Sequence, residues 1–183
     1  MNRALLVIDV QMEYFSGALP VSHPAGSLER ILAAMDAAAR SGVPVAVIQH
    51  QSADPKVPVF TPHGPGWELH PEVAKRPREV LIAKQLPGSF TGTDLGPWLE
   101  RVGADTVAIC GYMTQMCCDT TSRQAFHRGY KVEFLSDATG TLDMANYAGR
   151  VSAEELHRAI LVTQAARFAQ VLATQEWIAS LAA

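Results

Sequence analysis

The chain has 183 residues, with 15 Lys and Arg against 18 Asp and Glu, and a net charge of −3. Hydrophobic residues are 48% and charged residues 18%, which suits one folded domain over residues 1–183 and excludes a disordered chain. No basic stripe marks a nucleic-acid partner, and the apolar runs at 4–8 and 43–48 fall far short of the roughly 20 residues that cross a bilayer. No charged, then apolar, then small-residue leader opens the sequence, so a cytoplasmic protein is expected. The three cysteines, Cys110, Cys117 and Cys118, are odd in number and closely spaced. That makes a poor disulfide framework and fits free thiols in a reducing compartment.

Short apolar runs alternate with helical patterns along the chain. Residues 4–8 read as a strand buried on both faces and closed by Asp9. Ser27 is placed to cap a helix that buries Leu28, Ile31, Leu32, Met35 and Ala39 and stops at Gly42. A second buried strand is expected over 43–48, and a third over 80–83, closed by Lys84. Thr93 is placed to cap a short helix through Trp98 and Leu99. A fourth strand covers 106–110, and Gly111 to Thr114 turn into a helix ending near His127. A fifth strand covers 131–135. Ser152 and Glu155 form a capping box for a long helix from 153 to about 167. A sixth strand is expected over 168–172, with Thr174 capping a last helix. The stretches 50–78 and 136–151 read as irregular. Strands without polar alternation, separated by helices, imply an α/β fold with a parallel sheet covered on both faces.

In such sheets ligands bind at the carboxyl ends of the strands. Asp9, Lys84 and Cys117 each follow or end a strand, so a carboxylate, an ammonium and a thiol can meet at one edge if the strand order allows it. Cys117 sits in the first turn after the fourth strand, where unpaired N–H groups and the helix dipole favour a thiolate and can hold an oxyanion. Asp9 can take the thiol proton and return it to a leaving group; Lys84 can hold Asp9 and lower the thiol pKa. Each residue also has a plainer role: a small buried hydrophobe for Cys117, a cap for Asp9 and a solvated strand end for Lys84. Cys118 lies about 100° round the helix from Cys117 and reads as core, as does Cys110. His50 can instead form a dyad with Cys117. His50, His63 and His70, with Asp54 or Glu68, are rival metal ligands, although no recognised ligand spacing supports them. His127 and His157 lie on expected helices and read as surface or interface residues. No dinucleotide fingerprint, P-loop or nucleophile-elbow motif is present.

The run Leu6-Val7-Ile8-Asp9-Val10-Gln11 with Phe15 resembles the opening of the isochorismatase-like cysteine hydrolases. Lys84-Gln85-Leu86-Pro87-Gly88-Ser89-Phe90, followed by Gly92-Thr93-Asp94-Leu95, resembles their lysine segment. Gly111-Tyr112-Met113-Thr114-Gln115-Met116-Cys117-Cys118-Asp119-Thr120-Thr121 resembles their nucleophile segment, and Asp137-Ala138 matches a further pair. The resemblance covers nearly the whole chain. It implies a three-layer Rossmann-like fold with a six-stranded parallel sheet in order 3-2-1-4-5-6. It also implies a catalytic triad of Asp9, Lys84 and Cys117, a cis Tyr112-Met113 peptide, and an oxyanion hole from the backbone N–H groups of Met113 and Cys117. The metal-site pattern of the nicotinamidases is not matched at His50-Gln51-Ser52-Ala53-Asp54, so no metal and no other cofactor is implied. The nucleophile and lysine segments look closest to streptothricin-hydrolase-like amidases. The expected activity is hydrolysis of a small amide or ureide through a thioester. A vinyl-ether hydrolase using Asp9 as acid, or a non-catalytic binding module, are the alternatives. Gln11, Phe15, Trp67, Phe90 and Tyr112 are the candidate substrate contacts, and a homo-oligomer, dimer or tetramer, is the expected state.

Overall fold

The structure, a computed structural model, describes residues 1–54 and 56–182. Its centre is the first apolar run. Strand β1 (Arg3–Ile8) hydrogen-bonds in parallel to β2 (Val45–His50) on one side and β4 (Thr106–Tyr112) on the other. With β3 (Val80–Lys84), β5 (Lys131–Gly140) and β8 (Gln170–Leu172) the sheet runs β3-β2-β1-β4-β5-β8, every pair parallel. A separate hairpin, β6 (Met144–Asn146) and β7 (Gly149–Val151), precedes the last strand of the sheet. Counting strands of the main sheet alone, this is the 3-2-1-4-5-6 order.

The alternation of a strand's side chains splits β1 between two cores. Leu5 and Val7 pack with Ile31 and Met35 of α1 (Ser27–Ser41) and with Trp177 of α6 (Thr174–Ser180). Ala4, Leu6 and Ile8 pack with Trp98 and Leu99 of α3 (Leu95–Arg101) and with Ala125 of α4 (Asp119–His127). Residues 4–8 are wholly buried, as a strand with helices on both faces requires. A short helix α2 (Pro71–Ala74) and the longer α5 (Ala153–Thr163) complete the helices. Arg3 reaches Glu133 of β5 at 2.9 Å, and the Trp177 indole N–H donates to the same carboxylate at 2.8 Å, tying β1, β5 and α6 together. No helix among the described residues is long and apolar enough to cross a membrane.

Several sequence expectations are corrected by tertiary contacts. β4 does not turn at Gly111 but continues through Tyr112, and β5 runs on to Gly140 with a jump in register: Ile109 faces Phe134 while Gly111 faces Thr139. Ser27 starts α1 without capping it; its hydroxyl pairs with the Tyr112 hydroxyl at 3.0 Å. Thr174 is the first residue of α6 rather than its cap, and Asp137 accepts from both its N–H and its hydroxyl. The Ser152/Glu155 capping box forms as expected, but a wide turn over Gln164–Phe168 replaces the expected end of that helix. The hairpin at 144–151 and the helix at 71–74 fall in stretches that read as irregular.

Gly111 shows why the two central strands can approach so closely. A Cβ there would lie 2.0 Å from the Ile8 carbonyl oxygen, and its φ of +118° is one that L side chains rarely adopt. Gly111→Ala is therefore expected to cost about 3 kcal/mol or more, or to abolish soluble expression, in urea unfolding. An unchanged midpoint would show that β1 and β4 can separate at this point without loss.

Candidate active site

Asp9 leaves β1 in a left-handed conformation, φ 52°, with its N–H on the Ile48 carbonyl of β2. Its side chain is completely buried. Lys84 is the last residue of β3 and lies opposite His50 in register. β2 separates β3 from β1, so only a long side chain can bridge the gap. The Lys84 Nζ reaches within 2.7 Å of Asp9 Oδ2, with both side chains sealed from solvent. Neither Asp9 oxygen has a donor in hydrogen-bonding alignment, so the contact is an ion pair by distance and charge. The same ammonium donates to Cys117 Sγ at 3.2 Å and lies 3.3 Å from His50 Nδ1. Cys117 sits in a wide turn over Thr114–Cys118 that carries β4 into α4, and it is 7% exposed.

Three acceptors therefore surround one ammonium, which has three protons to give. Burial works against the charge on Lys84, but the Asp9 carboxylate and the Cys117 sulfur overrule it and raise the lysine pKa. An ammonium facing His50 Nδ1 requires a lone pair there, so His50 is neutral with its proton on Nε2. Burial and the Lys84 charge both lower the His50 pKa, in agreement. The thiol behaves differently from the sequence expectation. Burial first, and the Asp9 charge second, push the Cys117 pKa well up, with Lys84 opposing them. Burial thus works against the thiolate that Lys84 and the helix end favour.

The peptide between Tyr112 and Met113 is cis. Among the described residues, the Met113 N–H donates to no other group of the chain, and the Cys117 N–H donates to none outside its own turn. They are the two donors expected for an oxyanion.

The remaining candidates separate. Gln11 is fully buried and uses its whole amide on backbone: it donates to the His50 and Trp67 carbonyls at 2.8 and 2.7 Å and accepts from the His50 N–H at 2.8 Å. Expected among the substrate contacts, it has no donor left for one and instead clamps the 60s loop to the ends of β1 and β2. Tyr112 is buried with its hydroxyl on Ser27, facing α1. Phe15 packs edge-on to Tyr112 and lies 4.5 Å from the His70 ring. The Trp67 ring lies tilted against His63, centroids 5.1 Å apart, and its indole N–H is buried without a partner among the described residues. Phe90 lies on the other side of the sheet, in the cluster that holds Cys117, against Tyr130 and under the Arg128 guanidinium. Tyr14 was not singled out by the sequence. It is buried, packs against Tyr112 and Phe60, and its pKa is raised well up by burial and by the Asp9 charge. The one signal for it was its place in the segment after Asp9.

His50, His63 and His70 are engaged separately, the last accepting from the Glu72 N–H at the start of α2. Among the described residues no three His, Cys, Asp or Glu side chains gather as a metal would need. Cys118 and Cys110 are fully buried in the two cores, and burial raises both thiols. His157, read from the sequence as a surface or interface residue, is buried at 5% exposure.

An isochorismatase-domain family model matches residues 3–176. The chain belongs to the isochorismatase family. It is similar to a streptothricin hydrolase of Streptomyces noursei, 37% identical over 78% of this chain, a match that spans 51% of that protein. It is 32% identical to nicotinamidase 3 of Arabidopsis thaliana over 92% of this chain and 83% of that one. A solved structure from Burkholderia xenovorans LB400 superposes with a TM-score of 0.96 at 48% identity, over 99% of this chain and 88% of the other. The isochorismatase family thus includes relatives named for amide-cleaving activities.

The buried pair makes a testable energetic statement. Removing one partner leaves the other charge uncompensated, which costs about 3–5 kcal/mol. Lys84→Met is expected to lose that much stability at neutral pH. Adding Asp9→Asn, a neutral residue that tolerates the left-handed backbone, should return more than half of it. Purely additive losses in urea unfolding would contradict a coupled pair.

Proposed function

We propose that this chain is a cysteine-dependent hydrolase of C–N bonds in small amides or ureides, acting through a thioester. The reading rests on one observation: a single buried ammonium lies 2.7 Å from Asp9 Oδ2 and 3.2 Å from Cys117 Sγ. The relatives named streptothricin hydrolase and nicotinamidase support the bond class.

In this reading the buried sulfur starts as a thiol, the form that burial favours, and its proton leaves as the bond to carbon forms. Asp9 accepts that proton while Sγ attacks the substrate carbonyl carbon. The carbonyl π electrons move onto oxygen, which the Met113 and Cys117 N–H groups receive. When the tetrahedral adduct collapses, the C–N bond breaks and the protonated Asp9 gives its proton to the leaving nitrogen. Water then enters and Asp9 takes one of its protons. The hydroxyl oxygen adds to the thioester carbon, and collapse expels sulfur, which regains the proton from Asp9. Lys84 keeps its three protons throughout; it fixes the carboxylate and sulfur relative to one another and balances whichever of them is negative. The crevice takes a small neutral substrate in this reading, with no metal and no cofactor.

The experiment is a panel of small amides and ureides with intact-mass detection. Cys117→Ala and Asp9→Asn should each reduce turnover by at least about 10³-fold, on the scale lost when a nucleophile or its base is removed. Cys118→Ala should remain within about threefold of wild type, as a core substitution outside the chemistry. A transient mass gain equal to the acyl part of the substrate should map to Cys117. Turnover surviving Cys117→Ala with Asp9 still required would replace this reading with acid-catalysed vinyl-ether cleavage.

A further inference from the structure

Thr114 opens the turn that presents Cys117 and is completely buried. Its hydroxyl lies 2.9 Å from His157 Nδ1, a residue of α5 that is 43 positions away in sequence. The other ring nitrogen, Nε2, lies 2.9 Å from the carbonyl oxygen of Ser136 in β5. A carbonyl can only accept, so Nε2 carries the proton. A second proton on the ring is disfavoured by burial and by His23, whose ring stands edge-on 5.3 Å away, and the His157 pKa is lowered. Nδ1 therefore holds a lone pair, and the Thr114 hydroxyl donates to it. The direction of each hydrogen bond is fixed in a chain that runs from Thr114 through His157 to Ser136.

We propose that His157 is a positioning residue for the nucleophile turn: its neutral Nε2–H tautomer accepts the Thr114 hydroxyl and locks the turn to β5. The lock acts where small displacements matter most. Thr114 directly follows Met113, one of the two expected oxyanion donors, and precedes Cys117 by three residues. Within the wide turn the bonds run along its axis: the Met113 carbonyl accepts from the Met116 and Cys118 N–H groups at 3.1 and 3.3 Å, and the Asp119 N–H donates back to the Thr114 and Met116 carbonyls. A side chain anchored in α5 supplies the lateral restraint that those axial bonds lack. If His157 were protonated, Nδ1–H would face the Thr114 oxygen. The hydroxyl proton would then need a new acceptor, and among the described residues none stands beside it.

This inference rests on Cys117 being the working thiol, and the test separates the two. Iodoacetamide labelling of Cys117, followed by peptide mass mapping, measures sulfur presentation without turnover. Nitrogen-15 spectra of the imidazoles measure the tautomer without any reactive sulfur. Thr114→Val, which removes the hydroxyl at constant shape, is expected to slow labelling about tenfold or more, and Thr114→Ser to stay within about twofold. His157→Gln places its amide nitrogen near the Nε2 position and keeps only the Ser136 bond, so it should be slow. His157→Asn places an oxygen near the Nδ1 position and should recover most of the rate. The His157 nitrogens should report Nε2–H at neutral pH, and Thr114→Val should shift Nδ1 selectively. An Nδ1–H tautomer, or wild-type labelling in both Thr114→Val and His157→Gln, overturns the proposal. If the wild-type sulfur takes up no reagent, the nucleophile reading fails instead. The nitrogen spectra then decide this proposal alone, an Nδ1 signal unmoved by Thr114→Val counting against it.

Discussion

One lysine ammonium holds the site together. Lys84, at the end of β3, is sealed from water between a carboxylate, a sulfur and an imidazole nitrogen that come from the ends of three other strands, β1, β4 and β2. Removing such a charge from water costs several kcal/mol, and the attraction of one nearby anion recovers it only with good geometry and filled donors. Here the ammonium has the Asp9 carboxylate at 2.7 Å and two further acceptors, the Cys117 sulfur and the His50 Nδ1. The arrangement demands a central β1 with β2 and β4 on either side, a β3 whose last side chain crosses the end of β2, and a glycine where β4 meets Ile8.

The same burial decides how the thiol works. A helix end contributes roughly 0.3–1 kcal/mol to a nearby anion, less than one pH unit at about 1.4 kcal/mol per unit. Full burial moves a titratable group by up to about 3–5 units. Asp9 adds to burial in raising the thiol pKa while Lys84 opposes them, and the helix end is a smaller effect than burial. In the proposed mechanism, a buried carboxylate that is free to accept the proton at the moment of attack is then a better partner than a preformed thiolate. The Asp9 oxygens, lacking aligned donors, suit that part.

The sequence made the strand ends legible because each apolar run stops on one reactive side chain: Asp9 after Ile8, Lys84 after Ala83. Strand order was not legible from those residues alone, since buried parallel strands look alike; the three family-like segments supplied it. Features with distant partners were hidden. Ser27 has the composition of a cap, yet Tyr112, 85 residues on, takes its hydroxyl. His157 looks like a polar position on an exposed helix until Thr114 and Ser136 close on both of its nitrogens. The end of β5 and the hairpin at 144–151 are not legible in the sequence because Asp137 and Gly140 are poor strand formers and the hairpin strands are three residues each and mostly exposed. Gln11 reads as a substrate contact by its place beside Asp9, and only the coordinates show its amide saturated by backbone.

The most direct probe of this account is nitrogen-15 detection of the Lys84 side chain across a pH titration. The account predicts an ammonium that persists above the ordinary lysine value of 10.5 and that titrates lower when Asp9 is replaced by Asn. A neutral Lys84 amine at pH 7 in the wild-type protein, or a titration indifferent to Asp9, would contradict it.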